Sequence, residues 1–184
     1  MEDTMASPLP ALIRVAGHAD VLPAVDIWRQ ANTARGKPPS HDRITRVHAK
    51  LTEPTSLVLV AFHAGDPIGM ALAEPGCDLD GTGLPLTELC HISMVFVHPH
   101  HWGRRVGQQL LEAIARHAAH RGHTCLQLWT GAANRPAQRL YQRAGFQPSG
   151  RTKELATGES IVHLIRRLPG MPTYDRWSSM LGDR

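Results

Sequence analysis

Cysteine is scarce in this 184-residue chain and poorly placed for structural chemistry. Cys77, Cys90 and Cys125 are odd in number, far apart and without a Cys-x-x-Cys pair. That pattern argues against a disulfide framework and a cysteine zinc site, and it suits a reducing compartment. Long apolar runs are missing as well, so no segment reaches transmembrane length, and the start Met-Glu-Asp-Thr-Met lacks the basic residues of a secretory signal. A cytoplasmic protein without a membrane partner is the expectation. Basic clusters are also absent. The formal charge is +4 and the pI about 9.3, but the basic residues are spread from Arg14 to Arg184 without aromatic interleaving, which argues against nucleic acid as a partner. There is no internal repeat or low-complexity tract. With 42% hydrophobic and 20% charged residues the chain has an ordinary globular balance, and its length suits one domain with a substantial core.

What the chain does contain is concentrated between Glu88 and Leu111. Ile92–Val97 is apolar or small on both alternating faces, as in a strand covered above and below, and Pro99 ends it. Val106, Leu110, Leu111, Ile114 and Ala118 then mark one apolar face of a helix predicted to begin near Arg104 and to close at Gly122. The first amides of a helix have no internal partner and its dipole is positive at that end. The turn Trp102-Gly103-Arg104-Arg105-Val106-Gly107 is therefore a candidate phosphate cradle, with arginines adding forked donors. The competing reading is a plain strand-to-helix turn with solvated arginines. A P-loop is excluded because no Lys-Ser/Thr pair follows the last glycine, and a dinucleotide fingerprint because Gly-x-Gly-x-x-Gly is missing.

A second stretch runs from Leu126 to Phe146. Asn134 reads as a helix N-cap, Pro136 fits the first turn, Gly145 fits the position just past the end, and Ala137, Leu140, Tyr141 and Ala144 share a face. Taken alone, Tyr141 is an amphipathic core tyrosine.

Together the two stretches resemble motifs A and B of the GNAT N-acetyltransferases: Val97-His98-Pro99 with Trp-Gly-Arg-Arg-Val-Gly-Gln-Gln-Leu-Leu, then Asn134-x-x-Ala137-x-x-Leu140-Tyr141-x-x-x-Gly145-Phe146. Two positions depart from the family pattern: Trp102 stands for the usual Arg or Gln, and Arg105 for a frequent Gly. The resemblance implies an α/β fold whose mixed, mainly antiparallel sheet is flanked by helices and splayed between the central strand and the following parallel strand. It spans residues 11–168, after a loose lead-in at 1–10 and before a tail, 169–184, in which Trp177, Met180 and Leu181 suit a packed helix or a dimer contact.

It further implies transfer of an acetyl group from acetyl-CoA to an amine by direct attack, with a small-molecule acceptor preferred and no metal. The alternatives are a protein N-acetyltransferase and a catalytically idle acyl-CoA sensor or interaction module, as monomer or homodimer. Donor binding falls to Val95, Phe96, Val97, Trp102, Gly103, Arg104, Arg105, Val106, Gly107, Gln108, Asn134, Ala137 and Tyr141, with the Val95 amide polarising the carbonyl and Tyr141 protonating the thiolate. The general base is Glu88, taken first, or His91. Three apart on one strand, these two point to opposite faces unless a bulge intervenes.

The remaining elements read more simply. Leu12–Val15 is a strand. A helix from Asp20 carries Leu22, Val25, Ile27, Trp28 and Ala31 and ends before Gly36. Another, capped by Ser40 or Asp42, turns Ile44, Val47, His48 and Leu51 inward. In the family this helical pair borders the acceptor site, which draws attention to Trp28, Asn32 and Arg35; a solvated helix face is the other role for them. Leu57–Phe62 and Pro67–Ala73 form a hairpin, followed by a loop over Glu74–Pro85. Asp78 and Asp80 are too few ligands for tight calcium binding, and His98, His100 and His101 lack a second cluster at zinc spacing. Two closing strands cover Phe146–Arg151 and Ser160–Arg166.

Overall fold

Leu57–His63 (β2) is buried along its first five residues, and this apolar strand is the inner member of the first hairpin in the computed structural model, which describes residues 10–77 and 83–169. Leu12–Val15 (β1) pairs with it antiparallel from Leu12↔Phe62 to Val15↔Leu59. Asp66–Cys77 (β3) pairs on its other side. The further strands are Pro85–Val97 (β4), Cys125–Gly131 (β5), Gln147–Glu154 (β6) and Ser160–Arg167 (β7). The helices are Val21–Ala34 (α1), His41–Leu51 (α2), Val106–His120 (α3) and Arg135–Arg143 (α4). The sheet is seven-stranded, in the order β1-β2-β3-β4-β5-β7-β6, as the α/β reading requires.

The chain gathers into two compact units whose division falls inside β3, β4 and α3. The first takes the residues up to Glu74 and Ile92–Arg116. Its core joins Ile27, Trp28, Val47 and Leu51 of the helical pair to Val60, Met70 and Leu72 of the sheet. Arg14 grips Asp20 with both guanidinium nitrogens, at 2.6 and 2.9 Å, and the Gly17 amide donates to the same carboxylate. These contacts hold Asp20 below the usual carboxylate range, the Arg14 hydrogen bond contributing most. Ser40, not Asp42, caps α2 by accepting from the Arg43 amide. His48, expected inside, is exposed, because Ile44, Val47 and Leu51 fill the inner stripe.

The second unit takes Pro75–His91 and the chain from His117. Here β4 and β5 pair in parallel over Leu89↔Cys125 to His91↔Gln127, β5 pairs antiparallel with β7, and β7 with β6. Leu89, Leu126, Leu128, Phe146 and Leu164 are buried. Residues 74–77, expected in a loop, continue β3. Gly76 explains how they fit: a Cβ there would overlap the buried Leu89 side chain. Gly76→Ala is expected to cost about 1–3 kcal/mol through overpacking, measurable by urea denaturation.

Helix α3 begins at Val106 rather than near Arg104, since Arg105 has φ +60° and cannot be helical. Its far end is as expected, with Gly122 in the left-handed region at φ +85°. Asp78, Asp80, Trp177, Met180 and Leu181 lie outside the described residues.

Candidate active site

The strand-to-helix turn is built from short-range contacts. After β4 a 3-10 turn spans Pro99–His101, and the Trp102 indole Nε1–H donates to the Val97 carbonyl at 2.7 Å. This defines what Trp102 does at a position where the family pattern has Arg or Gln: it folds the loop back onto the end of β4. It also engages a carbonyl expected to face pantetheine. Gly103 follows at φ +78°, with open space where a Cβ would stand. Arg105 adopts the same left-handed region, one that glycine enters far more readily than arginine.

The first bond into α3 runs from the Gln109 amide to the Arg105 carbonyl, which directs the amides of residues 105–108 out of the helix end. Val106 and Gly107 are buried, Gln108 is half-buried, and Arg104 and Arg105 are exposed. The chemistry of this set, outward amides plus two guanidinium groups around an uncrowded glycine, fits a pyrophosphate. A cavity of ≈ 540 Å³ adjoins it, lined by Arg105, Gln108, Glu112 and Arg116 together with the start of β1.

A left-handed non-glycine costs about 1–2 kcal/mol, partly offset by the greater chain entropy that glycine loses on folding. Arg105→Gly is accordingly expected to leave stability at or above that of the parent by up to about 1 kcal/mol. Urea midpoints of the two chains check it, and a clear loss of stability in the variant refutes it.

The histidines beside this turn are close neighbours. Ring centroids of His98 lie 5.0 Å from His100 and 6.0 Å from His101, and His63 is 6.4 Å from His101. Burial and then the positive charges of His98, Arg104, His63 and His100 push His101 below the ordinary histidine range. Among the described residues no group of histidine, cysteine or carboxylate side chains is arranged to hold a metal ion.

In the second unit Asn134 caps α4, its Oδ1 accepting from the Ala137 amide at 3.3 Å, and Pro136 lies in the first turn. Gln138 Nε2 donates to the carbonyls of Gly131 and Ala132, at 3.0 and 2.7 Å, and so fastens α4 to the end of β5. Tyr141, three residues on along the same face, is half-buried with its ring 5.9 Å from Phe146 in an edge-to-face contact. Gly145 closes the helix at φ +81°.

The candidate bases differ in surroundings. Both are half-buried on β4. The register from Leu89 to His91 is unbroken, so His91 stands beside Gln127 on the face that also carries His163 of β7. Glu88 has the opposite parity, and its backbone carbonyl accepts from the Thr124 amide. Among the acceptor-side residues, Trp28 is a core residue at 2% exposure under the Arg43 guanidinium, and buried Asn32 donates to the Trp28 carbonyl. Arg35 reaches over the Phe96 ring at 5.0 Å.

Two polar clusters escaped the sequence reading. In the first unit Lys50 Nζ bridges Glu74 at 2.7 Å and Ser93 at 3.0 Å, while Ser93 donates to the same Glu74 oxygen. In the second, His163 links Ser149 Oγ, 2.7 Å from Nδ1, to Gln127 Oε1, 2.9 Å from Nε2. Burial, followed by the charges of Arg151, His91 and Lys153, pushes His163 down to about 4. The available signal was strand alternation: Gln127 and Trp129 interleave with the buried Leu126 and Leu128.

Comparison with known proteins bears on the family and the fold. The model of the acetyltransferase (GNAT) family matches residues 23–146, which include both motifs. The chain belongs to the acetyltransferase (GNAT) family. This family member is 31% identical over 105 residues to an uncharacterized N-acetyltransferase of Methanocaldococcus jannaschii, a match covering 56% of the chain and 42% of that longer protein. In fold it is similar to the ribosomal-protein-S18-alanine N-acetyltransferase of Escherichia coli (TM-score 0.70, 17% identity, 90% of this chain and 98% of that one). It is equally similar to an aminoglycoside 6'-N-acetyltransferase complexed with coenzyme A (TM-score 0.69, 11% identity, 88% and 99% covered). No helix among the described residues is long and apolar enough to cross a membrane.

Proposed function

We propose that the protein transfers an acetyl group from acetyl-CoA to a small-molecule amine. The observation that carries this reading is the left-handed turn at Gly103 and Arg105, which sends the amides of residues 105–108 out of the helix end beside two arginines. Family membership supplies the identity of the anion. Acetyl-CoA brings the activated thioester, and every other task falls to the chain. The amides of Gly103–Gln108 with Arg104 and Arg105 hold the pyrophosphate. The backbone of Val95, Phe96 and Val97 pairs with the extended pantetheine as an added strand, the Val95 amide donating to the thioester oxygen as it gains charge. Asn134 and Ala137 set the start of α4, and Tyr141 gives its proton to the departing sulfur. Of the two candidate bases His91 is the better placed chemically, on a polar face beside Gln127 and His163; Glu88 is the alternative.

The test is calorimetric titration with acetyl-CoA, with CoA and a nicotinamide dinucleotide as controls. Micromolar binding confined to the CoA compounds is expected. Absence of binding, or equal binding of the dinucleotide, overturns the reading.

A further inference from the structure

Arginine far outnumbers lysine in this chain, whose lysines are Lys37, Lys50 and Lys153. One of them stands beside the strand assigned to the donor. Lys50 lies in the last turn of α2, between Val47 and Leu51, which are buried in the core of the first unit. Its carbonyl accepts from Ser56 Oγ at 3.1 Å, so the backbone at this helix end is held and the side chain is the part left to move. That side chain reaches the sheet. Its Nζ donates to Ser93 Oγ of β4 at 3.0 Å and pairs with the Glu74 carboxylate of β3 at 2.7 Å, and the Ser93 hydroxyl donates to the same Glu74 oxygen. Met94 and Phe96 pack against the core that the helical pair shares with the sheet, so this stretch of β4 faces α1 and α2. Val95, whose amide is assigned to the thioester oxygen, is two residues on from Ser93, about 7 Å along a strand. Lys50, Glu74, Ser93, Val95 and the turn at Gly103–Gln108 all belong to the first unit. The amine therefore stands within about 10 Å of the place the transfer reading gives the acetyl group, a span that rotation about its four-carbon stem covers. The Lys50 side chain is 41% exposed and that of Glu74 21%, so neither is sealed off from a thioester entering beside β4.

We propose that Lys50 is a self-acetylation site, its Nζ taking the acetyl group from acetyl-CoA bound to the same chain while Glu74 receives the proton of the amine. The proposal rests on the acetyl-transfer reading and adds to it an acceptor within the chain. An ammonium has no lone pair to attack with, and Glu74 is in hydrogen-bond contact to take its proton. Nζ then attacks the thioester carbon, the new C–N bond forms, and the C–S bond breaks with its electron pair going to sulfur. The second proton that Nζ sheds as the amide forms makes good the one given to the departing thiolate. The products are acetyl-lysine, the free CoA thiol and one proton passed from Glu74 to solvent. Tethering raises the effective concentration of this amine over that of lysines elsewhere on the chain. Acetylation removes the charge of Lys50 and with it the ion pair to Glu74.

The experiment titrates the full chain with acetyl-CoA by calorimetry, then incubates it with acetyl-CoA and follows the acetyl group by intact mass and peptide mapping. The same chain unfolded in urea is the reference for unassisted acetylation. In the folded chain Lys50 is expected to be acetylated roughly tenfold faster or more than Lys37 and Lys153, with a first-order rate constant that does not change on dilution of the protein. In urea the lysines are expected to react alike. Excess CoA is expected to slow Lys50 alone, and Glu74→Gln to slow it by roughly tenfold. Lys50→Arg, which keeps the charge, is expected to bind acetyl-CoA and to gain no acetyl group over the same period. A chain that binds acetyl-CoA yet modifies Lys50 no faster than the other lysines overturns the site. A rate constant that rises with protein concentration overturns transfer within one chain, and an unchanged rate in Glu74→Gln overturns the proton transfer to Glu74. Absence of acetyl-CoA binding by the parent itself is a different result, which overturns the transfer reading and this proposal with it.

Discussion

Tyr141→Phe is expected to lower kcat by about 10²-fold or more while leaving the acetyl-CoA affinity within about twofold. The ring is half-buried against Phe146 on a helix capped by Asn134 and closed by Gly145, and phenylalanine preserves all of that packing. Only the hydroxyl is removed. If its proton goes to the departing thiolate, the loss appears in the chemical step and not in donor binding. A phenol hydroxyl is a competent proton donor to a departing thiolate, so the comparison is made at neutral pH. Steady-state kinetics with any acceptor found in the screen, set beside calorimetry, checks it. Full turnover in the variant removes Tyr141 from the mechanism and leaves the thiolate to solvent. The same assay applied to His91→Gln and Glu88→Gln decides the base, the larger kcat loss being expected at His91.

The second large effect is on stability in mild acid, through His163. In the folded chain its pKa lies at about 4, chiefly from burial, whereas an unfolded histidine titrates near 6.5. Between those values the unfolded chain binds the proton and the folded chain does not. Stability is therefore complete above about pH 6.5 and is lost progressively as pH falls toward 4, by on the order of 3 kcal/mol for this one group. The charge would enter a buried position already faced by Arg151 and Lys153, while Ser149 and Gln127 hold the neutral imidazole. His163→Gln cannot titrate, so the parent should weaken more steeply than the variant between pH 7 and pH 4.5. Urea denaturation of both chains at several pH values measures the difference. The Asp20 carboxylate acts in the same direction at lower pH: held below its ordinary value by Arg14 and Gly17, it contributes stability that disappears as pH falls through its folded value, in parent and variant alike. Parallel slopes for the two chains would show that His163 plays no part.

How much of this was legible without coordinates varies with the range of the interaction. The Ser40 and Asn134 caps, the left-handed Gly122 and Gly145, and the inner stripe of α2 apart from His48 are local, and local chemistry is written in adjacent residues. The start of α3 was misplaced because arginine gives no signal for a positive φ; only the observed backbone at Arg105 does. The continuation of β3 through residues 74–77 was missed because Gly76 and Pro75 resemble loop punctuation, whereas the closeness of Leu89 is what makes glycine necessary there. Trp28 and Asn32 drew attention as acceptor-site candidates, yet one is a core side chain and the other serves the helix backbone.

The sequence by itself determined the elements, the two motifs and their order, and with them the family, because helix periodicity, strand alternation, caps and turns depend on residues a few positions apart. Tertiary structure alone decided that Trp102 closes onto Val97, that Lys50, Glu74 and Ser93 meet, and that Ser149, His163 and Gln127 form one chain beside Trp129 and its two cations. Those contacts join residues far apart in the chain or depend on a backbone turn, and the shifted proton affinity of His163 follows from burial among charges that only strand pairing brings together.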